Sequence, residues 1–291
     1  MVKPAVGGQA VIEGVLMMND NKLAIAVRKP NKKITIKKET MKSFIRTHKF
    51  FKLPLIRGVF MLFDTLVIGI KALTWSANEA VEEDTKKNRK NKNNGKISFW
   101  EMAVTLALSI GGAILLFILL PLWLTKFVTT DQGFWFNLYD GLIRLGVFFA
   151  YVYVISLMKD VRRVFQYHGA EHKAVNCFEK GNILTVKNVL KHSRFHPRCG
   201  TTFIFIVLIV SILVFSLFQF ESWWAKLGIR IIFIPVIASV SYEILRLGGK
   251  YYKNPLVKAL VSPGLCTQWF TTREPDASQV EVAIKSLKAV L

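Results

Sequence analysis

Four of the five histidines, His168, His172, His192 and His196, lie between Lys159 and Gly200 together with Cys177 and Cys199. Imidazole and thiolate are the usual donors for zinc, so this crowding raises metal chelation as the first chemistry to test. Its core is His168-Gly169-Ala170-Glu171-His172, an HxxEH arrangement. On a helix its two imidazoles stand one turn apart on one face, and Glu171 sits close to the same face. The order is the inverse of the zinc-protease HExxH motif, in which a glutamate polarises water beside two histidine ligands. Gly169 weakens the helix that the motif needs. His196-Pro197-Arg198-Cys199 adds two more donors three residues apart on a link stiffened by Pro197. Three protein donors and a water would make an open catalytic site with Glu171 as general base, whereas His168, His172, His196 and Cys199 together would close it as a structural one. The blander reading is that these imidazoles bind backbone carbonyls or lipid phosphates beside Arg162, Arg163, Lys173 and Arg198.

Two other segments are more polar than a plain anchor requires. In the first, residues 7–14, Glu13 is bracketed by glycines that permit a tight turn or close backbone approach. In the second, residues 263–275, Gln268, Arg273 and Glu274 accompany an aromatic pair. Loop packing is the simpler role for both, with Glu13, Arg273 and Glu274 as further site candidates. Cys199 or Cys266 as a nucleophile beside a histidine has no local pattern behind it. The chain has neither a GxxxxGK[ST] loop nor a GxGxxG fingerprint, which argues against nucleotide-driven chemistry.

The elements that would hold these groups are largely apolar. Over 291 residues, 52% are hydrophobic, yet 40 are Lys or Arg and the net charge is +21. Because the basic residues alternate with long apolar runs, retention on one side of a membrane accounts for them better than nucleic-acid binding does. Met102–Leu124 is uncharged and long enough to cross a hydrocarbon core of about 30 Å. Phe134–Met158 is broken only by Asp140 and Arg144, four apart and able to pair on a helix. Thr201–Phe220 and Trp223–Leu247 form a second pair, the latter with Arg230 and Glu243 near its ends. Short loops at 125–133 and 221–228 make two helical hairpins the expected arrangement.

Lys and Arg number 12 in residues 1–52, 6 in residues 86–96 and 9 in residues 159–200, against one in each short loop. The positive-inside rule therefore puts the rich segments and both termini in the cytosol. There the three cysteines stay reduced, and no disulfide is expected. No cleavable signal is read in the first forty residues. Residues 53–73 are apolar but flanked by basic residues on both sides, so an interfacial or re-entrant helix suits them better than a crossing.

The fold expected is a mainly α membrane protein with about four transmembrane helices and a small N-terminal β-meander. Its segments are a cytosolic meander at 1–40, with turns at Asn19-Asp20-Asn21 and Pro30-Asn31, then an interfacial or re-entrant segment at 41–80 and a basic linker at 81–98. A first hairpin at 99–158, the His/Cys loop at 159–200 and a second hairpin at 201–247 follow. The C-terminal segment at 248–291 carries a capped amphipathic helix starting near Asp276 and Gln279, with Val280, Ala283, Ile284 and Leu287 on one face.

With these segments in hand, QAVIEGV, PLIRGV, FQYHGAEHK, HPRCGT and TTREP together resemble the YqhQ-like family of bacterial membrane proteins, over nearly the whole chain from Gly8 to about Ile284. The resemblance implies the bacterial cytoplasmic membrane, and the family's label of predicted metal-dependent enzyme implies a metal. Carried over by position, its pattern falls on Glu13, His168, Glu171, His172, His196, Cys199, Arg273 and Glu274, and leaves out His192 and Cys177. Cys266-Thr267 stands where the family carries bulkier apolar residues.

The leading expectation is a cytosolic-face site in which His168, His172 and His196, with Cys199 as a further ligand, hold zinc or a similar divalent ion. Glu171 would be the general base of a hydrolase acting on a peptide or lipid. The alternative is a non-enzymatic factor in protein assembly, lipid handling or transport, with a structural metal or a headgroup pocket. Membrane lipid is the expected partner; a homo-oligomer or a membrane-protein partner is left open. A periplasm-activated reporter enzyme fused after Gly181 should be silent, and strong activity there would reverse the orientation.

Overall fold

Residues 6–40 form the meander in a computed structural model of the chain, which describes residues 6–41, 51, 53–81, 99–130, 133–218, 222–252 and 254–291. Strands β1 (Val6–Val11), β2 (Gly14–Asn19), β3 (Lys22–Arg28) and β4 (Ile34–Thr40) pair antiparallel in chain order. The turns fall where the asparagine-rich and Pro-Asn stretches lie, with Asp20 and Lys32 at positive φ, and a further tight turn at Ile12-Glu13 puts Glu13 at φ 52°. Alternation sends Val15, Met17, Ala24 and Ala26 to one face and Leu16, Leu23, Ile25 and Val27 to the other. Both faces are buried, which is why β2 and β3 read as nearly continuous apolar runs.

One face is covered by α1 (Ile56–Ala80), through Ile68, Ala72 and Trp75. The other is covered by two helices that sit far apart in sequence, α5 (Lys159–Glu179) and the C-terminal α12 (Ala277–Val290). The capping box of Asp276 and Gln279 is formed, and Val280, Ala283, Ile284 and Leu287 are buried as the periodicity predicts. Ser286 Oγ donates to Ala24 O (3.0 Å), locking α12 to β3.

The apolar helices pack alongside. Helix α2 (Phe99–Ile114) continues through a π-helical turn (Leu115–Leu119) into α3 (Leu120–Val128), and α4 (Phe134–Ser156) packs against α3. Helix α7 (Gly200–Ser216) contacts α4, α9 (Ile234–Lys250) and α10 (Pro255–Leu265); α8 (Trp223–Ile232) precedes α9. Among the described residues two helices, Val104–Val128 and Phe134–Ser156, are long and apolar enough to cross a membrane. The α8–α9 pair qualifies as a third if taken as one span, but it bends by 46° around Phe233, where Pro235 in the first turn of α9 cannot continue the hydrogen-bond ladder of α8. The apolar stretch 223–247 is thus a bent pair of helices, and α7 is a shorter apolar helix of 17 residues. The connection at 159–200 carries the helix that the HxxEH spacing requires, α5, followed by the short α6 (Val186–Leu190). Helix α5 ends at Gly181, whose φ of 80° is the left-handed conformation that favours glycine. Of the basic linker at 81–98, all but Val81 lies outside the described residues.

Helix α1 is tied to this bundle at its first turn, where Arg57 grips Glu243 of α9 through both carboxylate oxygens (2.6 and 2.5 Å). At one end of the bundle Asn137 of α4 donates to Phe218 O beyond α7 (3.0 Å). There Asp140 Oδ2 accepts from Arg144, the predicted partner, and from Arg230 of α8, both at 2.8 Å and all three groups buried. Removing the carboxylate would strand two buried cations, at a cost of about 3–5 kcal/mol. Asp140→Leu should therefore lower the thermal unfolding midpoint markedly in detergent; an unchanged midpoint would show that the triad carries no stability.

Candidate metal centre

Helix α5 presents the HxxEH residues on its face toward the segments 194–201 and 271–273. His168 and His172 meet edge to face with ring centroids 4.4 Å apart, as one helical turn allows. Each ring is held by the same device. His168 Nδ1 lies 2.8 Å from Thr271 O, and His172 Nδ1 lies 2.6 Å from Arg194 O. A carbonyl can only accept, so Nδ1 carries the hydrogen and Nε2 is left to serve as a ligand, the arrangement usual for metal-binding histidines.

Cys199 completes the cluster. It caps α7, its Sγ accepting from Thr201 N, and it lies 3.2 Å from His168 Nε2. One donor atom from each of His168, His172 and Cys199 lies within 4.8 Å of the others. For comparison, tetrahedral zinc with Zn–N of 2.0–2.1 Å and Zn–S of 2.3 Å separates N from S by about 3.6 Å. Burial pushes the Cys199 thiol up, but the charges and hydrogen bonds of His168 and His172 outweigh it and hold the thiol well below its usual range. Burial pushes His168 down, yet Cys199 raises it to about 9. Both shifts describe one interaction: a buried thiolate needs a cation beside it, and either a proton on His168 or a divalent ion satisfies that need.

Glu171 is buried beside them, with Oε2 3.4 Å from His172 Nε2. It reaches that position against β1 at Gly8, where a Cβ would stand 2.7 Å from its Cγ and Oε1. His196 is buried as well, with its ring centroid 5.7 Å from that of His172, but its Nε2 faces Glu179 Oε2 at 3.5 Å rather than the three donors. The remaining candidates stand elsewhere. Glu13 is held by both arms of the Arg163 guanidinium and by Tyr167 OH (3.2 Å). Glu274 is mostly exposed and pairs with Lys173 (2.9 Å) and Arg194 (3.6 Å). Arg273 reaches Ser156 Oγ (3.3 Å), and its backbone N donates to Phe165 O (2.9 Å). His192 bonds Asn182 at 3.1 Å, and Cys177 is buried in the sheet–helix core.

Sequence reasoning underrated Gln268. It is fully buried, accepting from His196 N (2.9 Å) and donating to His196 O (2.8 Å) and Thr202 Oγ1 (3.0 Å). That clasp fixes the HPRCGT segment, and with it Cys199, against α11 (Thr267–Thr271). An amide amid apolar neighbours was the available signal. The anchoring carbonyls of Arg194 and Thr271 have none.

A mainly helical chain with an N-terminal four-stranded sheet and a His/Cys cluster at the base of its apolar helices is the class these observations define. Residues 53–291 match the family described as protein of unknown function (DUF1385), and the chain belongs to that family. It is also 35% identical to "Uncharacterized protein YqhQ" of Bacillus subtilis (strain 168) over 298 aligned positions, covering all of this chain and 93% of that one. No solved structure matches.

Gly169 shows how tightly the centre is built: a Cβ there would lie 2.1 Å from Arg273 O. In an exposed helix Gly→Ala would gain about 1 kcal/mol. Here Gly169→Ala should lower the unfolding temperature instead, by pushing residues 271–273 off α5, and a raised temperature would refute the close approach.

Proposed function

We propose that this chain is a multi-pass protein of the bacterial cytoplasmic membrane that holds one divalent ion, zinc by donor type, on its cytosolic face and uses it for hydrolysis. The two hairpins supply four crossings, with α7 and the bent α8–α9 pair as the second hairpin, and α1 lies at the interface or re-enters it. The charge asymmetry of the sequence supports the orientation. The observation that carries the metal assignment is the anchoring of both Nδ1 atoms on backbone carbonyls with Cys199 Sγ 3.2 Å from His168 Nε2.

A divalent ion at this point supplies Lewis acidity, polarising a carbonyl and lowering the pKa of water toward 7. The chain's residues do the rest. His168, His172 and Cys199 bind through soft and borderline donors that favour zinc over magnesium or calcium. Glu171, within 3.4 Å of His172 Nε2, is placed to take the proton of an attacking water and pass it to the leaving group. A structural clip is the second reading, favoured by the way the same centre joins α5, the 194–199 segment and the 271–273 segment.

Elemental analysis of the purified protein should find one zinc per chain, lost in His168→Ala, His172→Ala and Cys199→Ala. His196→Ala should keep most of it. Substoichiometric metal unchanged by these substitutions would end the metal assignment. Glu171→Gln should retain zinc while failing to complement a strain lacking the protein; full complementation would favour the clip.

A further inference from the structure

A cavity of about 490 Å³ reaches the centre from the side. It runs between β1 at residues 8–10, the 62–73 face of α1, α5 at residues 164–168 and the start of α7, and His168 and Cys199 form part of its wall. Its volume falls within the ~300–1,000 Å³ usual for ligand sites. The α1 wall extends over about 17 Å, more than half a hydrocarbon core. Leu66 and Ile70 on that wall are 59% and 54% exposed, so it is continuous with an uncovered apolar surface. A larger cavity of about 700 Å³ between α1 and the sheet is lined by Leu16, Leu23 and Ile25 and touches none of the three donors.

The level of the cavity relative to the bilayer follows from where polarity changes. Leu157 and Met158 are 64% and 57% exposed, and Lys159, Arg162 and Arg163 follow at once. Arg162 is exposed one turn before Phe165 of the cavity wall. On α7 the apolar run begins at Gly200, next to Cys199. Polarity thus changes one to two turns before the cavity wall on α5 and beside it on α7, so the apolar slot is bordered by exposed Lys159 and Arg162. An acyl chain below an anionic headgroup has that distribution of apolar volume and charge.

The geometry points to an anionic phospholipid as the occupant: one acyl chain lies in the slot along α1, the headgroup meets the exposed Lys159 and Arg162, and the glycerol ester stands at His168 and Cys199. Resting on the hydrolytic reading above, this makes the substrate class a membrane glycerolipid. Water adds to the ester carbonyl, the acyl C–O bond breaks, the leaving alkoxide takes up one proton of the water to become an alcohol, and the fatty acid formed releases the other to solvent as it ionises to the carboxylate. A peptide substrate would need a place to pair its backbone, and the cavity wall on β1 is instead closed by α1 at Gly69, which packs on Gln9.

The test uses the full-length protein in lipid nanodiscs containing phosphatidylglycerol with a photoactivatable diazirine near the acyl terminus, mapping adducts by mass spectrometry and measuring zinc in the same samples. Adducts are expected at residues 62–73 and 164–168. Thr65→Trp and Ile70→Trp, which fill the slot from exposed positions, should remove most of them while leaving adducts on the outward face of α2 and the zinc content unchanged. Cavity adducts that survive both substitutions, or equal labelling from phosphatidylcholine, would overturn the assignment. Zinc without cavity labelling would sink the lipid proposal and leave the metal site. Cavity labelling without zinc would uphold lipid binding and remove the hydrolytic chemistry.

Discussion

The carbonyl of Arg273 lies against α5 where only a hydrogen atom leaves room for it, and the geometry of the centre depends on that contact. With residues 271–273 pressed onto the helix, Thr271 O reaches His168 Nδ1 and Arg273 N finds Phe165 O. The same stretch continues into Asp276, which starts α12 and carries the chain back over the sheet. Gly169 is a poor helix former in the middle of a motif that needs a helix, and this contact is the compensation. A helix with alanine there could display the same two histidines but could not be approached closely enough to orient them.

The sheet plays the corresponding part on the other side. Burial of β2 and β3 on both faces holds their neighbour β1 as the wall against which Glu171 packs at Gly8. The carboxylate is therefore buried because an N-terminal domain closes over α5. The two ends of the apolar bundle differ accordingly. One holds a buried aspartate whose Oδ2 already accepts from two arginines. The other holds a buried thiol beside the His168 imidazole, which a proton on that ring or a divalent cation would complete.

Much of this was legible in local patterns. The meander followed from turn residues between apolar runs, the C-terminal helix from its capping box, and the Asp140–Arg144 pair from a spacing of four. The pairing of His168 with His172 needed only helical periodicity. What local patterns could not supply was the third dimension of the centre. Cys199 and His196 belong to one short motif, yet the thiol turns to His168 and the imidazole to Glu179, because Gln268, some seventy residues on, clasps the backbone between them. Glu13, an equally plausible carboxylate by sequence, is held by Arg163 through a contact that no spacing foretells. The break at Phe233 was signalled by Pro235 but was masked by the apolar run around it.

The clasp at Gln268 also has a consequence for biosynthesis. His168 leaves the ribosome about a hundred residues before Thr271, whose carbonyl orients it, and Cys199 some seventy before Gln268, which fixes its segment. A growing chain therefore carries both groups without these anchors until its last residues are made. The arrangement of His168 and Cys199 is complete only when α11 packs against α4 and α7. The last forty residues, which contain none of the donors, thus decide when the protein is mature.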